Sequence, residues 1–147
     1  MKTGVVLIAS VLALSACGGG GGRLSKADFQ AKANAICSKY NAKIKRALAN
    51  VSSDPHSLAS AMDRALGYIK KGTKELDDLD PPKAYEAKYQ ELSRINHEEI
   101  STGQKLATAA RASDKAAIQS AIAQLESQGK KSDRLATEMG LDSCASE

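Results

Sequence analysis

Beyond residue 24 the chain repeats apolar positions at three- and four-residue steps, the period of amphipathic helices, in four blocks parted by short breaks. Ser25 suits an N-cap, with Asp28 at the third position of an Asp version of the capping box. Phe29, Ala33, Ile36, Tyr40, Ile44, Ala47 and Val51 then share one face. Ser52-Ser53-Asp54-Pro55 interrupts that pattern and starts a second, with Asp54 as cap and Pro55 in the first turn, where a missing N–H costs nothing. Its stripe is Leu58, Met62, Ala65, Leu66, Ile69, Thr73 and Leu76. Asp80-Pro81-Pro82 repeats the device ahead of a third helix carrying Tyr85, Tyr89, Leu92, Asn96, Ile100, Gly103, Ala107 and Ala110. Ser113-Asp114 opens a fourth, with Ile118, Ile122, Leu125, Gly129, Ser132, Ala136 and Met139 inward and Gly140 placed to end it in the left-handed conformation. Short connections make consecutive helices antiparallel neighbours, so the pattern predicts an all-α fold, an up-down-up-down four-helix bundle over 25–147. Leu141 to Cys144 then folds back toward the first helix.

The N-terminus obeys a different rule. Met1 and Lys2 form a minimal positive region, Val5 to Leu14 an apolar run, and Leu14-Ser15-Ala16-Cys17 a lipobox. The run is too short to span a bilayer, which needs about 20 apolar residues. The segment resembles the lipoprotein precursors cleaved by signal peptidase II, which implies a signal peptide over 1–16 and a diacylglyceryl group, with further acylation such as palmitate, on Cys17. Two long chains hold a protein to a membrane by on the order of 20 kcal/mol, whereas one chain binds reversibly. Residues 17–24 then read as the lipidated cysteine and a Gly-rich tether of roughly 15 Å mean span. The expected location is the cell membrane, lipid-anchored on its extracytoplasmic face.

Composition narrows the partners. With 21 Lys and Arg against 17 Asp and Glu the chain carries a net +4, too balanced to argue for nucleic acid. With no Trp, one Phe and four Tyr, the core is to be built from Leu, Ile, Met and Ala, which suits close helix packing. The lipobox accounts for Cys17 and leaves Cys37 and Cys144, a pair that in an exported chain is more often a disulfide than two free thiols.

Three segments together extend the resemblance. The run from Ser25 to Cys37 (Ser-Lys-Ala-Asp-Phe-Gln-Ala-Lys-Ala-Asn-Ala-Ile-Cys), Pro81-Pro82 before the third helix, and Gly140-Leu141-Asp142-Ser143-Cys144 are similar to small exported helical proteins and lipoproteins of Actinobacteria. The resemblance covers most of the chain beyond the tether. It implies fold, disulfide and export, and carries over no activity and no site residues.

Catalytic and metal motifs fail on inspection. His97-Glu98-Glu99-Ile100-Ser101 begins like a zinc-protease helix but has Ser101 where the second histidine belongs. A di-iron bundle needs Glu three residues before an inward His on two helices, and position 94 is Arg94. Glu75, Asp77, Asp78 and Asp80 cluster without a calcium-loop glycine, and Asp80 has a capping role. The basic groups Lys43/Lys45/Arg46, Lys70/Lys71/Lys74 and Lys130/Lys131/Arg134 are interleaved with acids and read as solvated surface. No catalytic residue, metal or cofactor is therefore expected.

One internal feature exceeds generic bundle chemistry. Folding each hairpin about its turn places Tyr40, Asn96, Gly129 and Ser132 at one height, a small and polar layer in an otherwise aliphatic core. Two arrangements satisfy it. It is a pocket between helices for a small polar or amphiphilic ligand, or closed packing in which Gly129 lets two helices approach while Asn96 bonds Ser132 or Tyr40. The expected function is that of a non-enzymatic, membrane-tethered module binding an envelope protein or component, with a small-ligand carrier as the alternative.

Overall fold

The computed structural model describes residues 22–145. The proposed signal peptide, Cys17 and most of the tether lie outside the described residues. Four helices carry the chain: α1 (Lys26–Leu48), α2 (Pro55–Asp77), α3 (Glu86–Arg111) and α4 (Lys115–Glu138), with 3-10 turns at Lys83–Tyr85 and Asp142–Cys144. Among the described residues there is no strand, and no helix is long and apolar enough to cross a membrane.

The helix ends follow their local chemistry. Ser25 Oγ accepts from the Asp28 N–H at 3.1 Å, and its hydroxyl donates to the Asp28 carboxylate, so one half of the box forms side chain to side chain. Asp54 accepts from the His56 and Ser57 N–H groups with Pro55 as the first helical residue, and Asp114 accepts from Ala117. Gly140, at φ 73°, closes α4: the Leu141 N–H reaches the Ala136 carbonyl and the Gly140 N–H that of Thr137. Those two bonds are the Schellman pattern, which needs a left-handed residue where glycine alone is unstrained.

Two sequence boundaries are corrected. α3 does not begin at Asp80-Pro81-Pro82. Each proline drives the residue before it into an extended conformation, and Pro82 itself is extended, so a 3-10 turn intervenes and the N-cap is Tyr85, with no side-chain capping bond. Asp80 instead offers its carbonyl to Leu24 N–H at 3.0 Å, while Arg23 donates to the Pro81 carbonyl and to Glu86. The prolines thus fix the entry of the chain. Val51 also falls past the end of α1, in the connection to α2.

Side-chain bonds cross between each pair of consecutive helices. Lys39 with Glu75 and Arg64 with the Ala47 carbonyl tie α1 to α2. Arg111 with Asp63 and Tyr89 with the Leu76 carbonyl tie α2 to α3, and Lys88 with Glu138 ties α3 to α4. α1 and α4 stand further apart: no Cα of one lies within 8 Å of a Cα of the other.

Two separate cores hold the fold. Near the chain entry, Phe29, Ala33 and Cys37 of α1 pack with Leu76, Tyr89, Leu92, Ala136, Met139 and Leu141. The rings of Phe29 and Tyr89 meet edge to face at 4.9 Å, and the Tyr89 hydroxyl donates to the Leu76 carbonyl at 2.6 Å. At the far end the second core is Met62, Leu106, Ala107 and Ala121, to which α1 contributes nothing. Beyond Cys37, α1 contributes no residue to either core, with Ile44 half-buried and Leu48 exposed.

Candidate functional site

A groove of about 400 Å³ lies among the four helices. α1 supplies Ile36, Tyr40, Asn41, Ile44 and Leu48 to its walls, α2 supplies Met62, Leu66, Ile69, Thr73 and Leu76, α3 Leu92, Asn96, Glu99 and Gly103, and α4 Leu125, Gly129, Ser132 and Asp133. Cys37, Leu141 and Cys144 close one end. Its volume lies within the range of about 300–1,000 Å³ usual for ligand pockets.

All four residues of the polar layer, Tyr40, Asn96, Gly129 and Ser132, line this one space. The closed-packing arrangement is overturned. A Cβ built on Gly129 meets nothing within 4 Å, so Gly129 marks an opening and not a helix contact. The close approaches fall at Gly72, whose Cβ would lie 3.0 Å from the Tyr40 ring, and Gly103, whose Cβ would lie 2.9 Å from Leu66. Nor do the layer's polar groups bond one another. The Tyr40 hydroxyl donates to Glu75 Oε1 at 2.6 Å. Ser132 Oγ lies 3.1 Å from Glu99 Oε1 and 3.0 Å from the Gly129 carbonyl, so its one proton serves one acceptor at a time. Asn96 lines the groove and has no hydrogen-bond partner among the described residues.

Glu99 is the residue that sequence reasoning missed. Burial against apolar walls holds its carboxyl above the usual carboxylate range; the Ser132 hydroxyl offsets part of this, and the charge of Asp133 adds to it. No ion pair of the described residues uses it. Its position three residues after Asn96 was available as a signal, since both then share one helical face.

The closed end is built by α1 side chains that clasp the returning tail. Gln30 donates to the Met139 carbonyl at 2.7 Å and Asn34 to that of Gly140 at 3.1 Å, while the Ser143 N–H donates to Asn34 Oδ1 at 2.9 Å. Asn41 donates to the Ser143 carbonyl at 2.8 Å. In the middle of this stripe the Cys37 and Cys144 sulfurs stand 2.07 Å apart, at disulfide distance. Positions 30, 34, 37 and 41 follow the helical period, so the cysteine's polar neighbours mark the face that receives the tail.

Outside the groove several titratable side chains pair with one another. Asp77 accepts from Ser93 at 2.6 Å and stands 2.8 Å from exposed His97. The serine proton points to the carboxylate and not to the imidazole, so the trio lacks the serine-to-histidine bond that activates a nucleophile. The acidic cluster is dispersed: Glu75 serves Lys39 and Tyr40, Asp77 serves Ser93 and His97, and Asp78 serves Lys74. Among the described residues no three His, Cys, Asp or Glu side chains converge as a metal site would require. Of the basic groups, Lys74 and Arg134 face acids one turn away on their own helices, within a mixed surface.

No family model, curated protein or solved structure matches this chain, so the geometry carries the functional argument by itself.

Proposed function

We propose that the protein is a membrane-anchored cell-envelope lipoprotein whose helical domain, an up-down-up-down bundle on a Gly tether, acts without catalysis by binding an envelope component in the α1–α4 groove. The groove itself carries this reading: an apolar space of about 400 Å³, lined by all four helices. A packed four-helix bundle of this size has no structural need for it, because interiors normally close to crystal-like density. Its end is walled by the tail and the Cys37–Cys144 pair, a shape that suits a small molecule better than a protein segment passing through. The lipobox at Leu14-Ser15-Ala16-Cys17 supports the anchor, and the Gly-rich stretch after it keeps the groove near the bilayer surface.

Two experiments test the proposal. Cys17→Ala abolishes incorporation of labelled fatty acid if Cys17 carries the lipid, and persisting label on the variant sinks the anchor. The groove is tested with the fluorophore N-phenyl-1-naphthylamine, which brightens on entering apolar sites. Wild type enhances its emission, and Gly129→Phe, whose ring enters empty space, suppresses the enhancement while keeping helical circular dichroism. Equal enhancement by both proteins contradicts the assignment.

A further inference from the structure

The charge lining the groove identifies the kind of occupant. Among the lining residues Glu99 and Asp133 are acidic and none is Lys, Arg or His. Glu99 stands mid-groove, half-buried, its carboxylate held by the Ser132 hydroxyl at 3.1 Å. Asn96, one turn earlier on α3, lines the same space. On either side of this pair the walls are aliphatic, with Ile44 and Leu66 toward the far end and Ile36 and Leu76 toward the tail. A carboxylate half out of water is stabilised by a charge-assisted hydrogen bond from a cation, and an anion in its place is repelled at short range in a low dielectric. A volume of about 400 Å³ matches one chain.

We infer that the groove takes a single-chain amphiphile with a cationic, hydrogen-bond-donating head, the chain along the aliphatic walls and the head between Glu99 and Asn96. The inference rests on the groove being a binding site, as proposed above, and adds the chemistry of its ligand.

Two probes with the same chain and opposite heads separate these claims. Decylammonium and decanoate, each below its micelle concentration, are titrated calorimetrically into the full chain carrying Cys17→Ser, so that no attached lipid competes. Decylammonium binds about tenfold or more tightly than decanoate, the equivalent of one charge-assisted hydrogen bond. Glu99→Gln, which keeps the size and the Ser132 acceptor, brings the two within about threefold by weakening the ammonium alone. Equal binding of the two probes by wild type, or tighter binding of decanoate, overturns the head-group inference while leaving the groove intact. A preference unchanged in Glu99→Gln overturns the role of Glu99. Binding of neither probe refutes the groove reading itself, and this inference with it.

Discussion

Gly72 of α2 lies against the face of Tyr40 of α1: a Cβ at Gly72 would stand 3.0 Å from Cδ2 and 3.1 Å from Cγ of the ring. That contact is where α1 and α2 approach, and the ring is held by its hydroxyl's bond to Glu75 and by Lys39 and Lys43 at 4.7 and 5.3 Å from its centroid. Gly129, by contrast, borders open space. Alanine raises helix propensity at either position by about 1 kcal/mol, but at Gly72 it also overpacks, at a cost of about 1–3 kcal/mol. Gly129→Ala is therefore expected to melt above wild type and Gly72→Ala below Gly129→Ala. Thermal melts of the three proteins check the order, and the reverse order contradicts the packing described.

Glu99 gives a pH signature opposite to that of the surface carboxylates. Its folded pKa is raised, chiefly by burial, so its stabilising contribution is full below the unfolded pKa and is lost as pH rises through the folded value. Glu99→Gln is predicted to be more stable than wild type at about pH 7.5, with the difference shrinking toward about pH 4. Glu75, Glu86, Glu91 and Glu138 run the other way: hydrogen bonds from Lys39, Arg23, Arg94 and Lys88 respectively lower their pKa values. Their contribution is present above the unfolded pKa and lost as pH falls through the folded values, so both proteins weaken in acid. Urea midpoints across this range show a wild-type to variant gap that closes with falling pH, or refute the role given to Glu99.

The tail supplies a third prediction. The sulfurs of Cys37 and Cys144 span a sequence separation of 107, and closing a loop of that length stabilises by about 4–5 kcal/mol on chain-entropy grounds. Replacing both cysteines by serine should lower the melting temperature without unfolding the first core, because Gln30, Asn34 and Asn41 still grip the tail backbone. Non-reducing peptide mapping of the unmodified protein should show one species joining the two segments. Free thiols at both positions, or a serine pair that melts with wild type, contradict the bridge.

Period and capping made the helices legible: Asp54-Pro55, Asp114 and Gly140 act at the ends as their chemistry requires. What the period could not show is how each helix rotates about its axis. α4 presents Ala121, Gln128, Ser132 and Ala136 inward and leaves Ile122 40% exposed, because its neighbour α3 packs through small residues such as Ala107 and Ala110. Gln128 is thereby buried, with Oε1 lacking a hydrogen-bond partner. On α3, flanked on both sides, Ile95, Thr102, Leu106 and Ala109 are buried beside the expected stripe. Folding the hairpins predicts one height for Tyr40, Asn96, Gly129 and Ser132, since turn positions fix height, and all four line the one groove. Whether the seam between α1 and α4 closes depends on pairwise packing across the bundle, which no single helix's periodicity records.

The central claim is that the groove is occupied in the cell. Wild type and Gly129→Phe, isolated from the envelope under conditions that keep the fold, are denatured, extracted into organic solvent and compared by mass spectrometry. A single-chain amphiphile is expected in near-stoichiometric amount from wild type and absent from Gly129→Phe, with both proteins equally helical. Recovery of the same molecule from both, or of none from wild type, contradicts it.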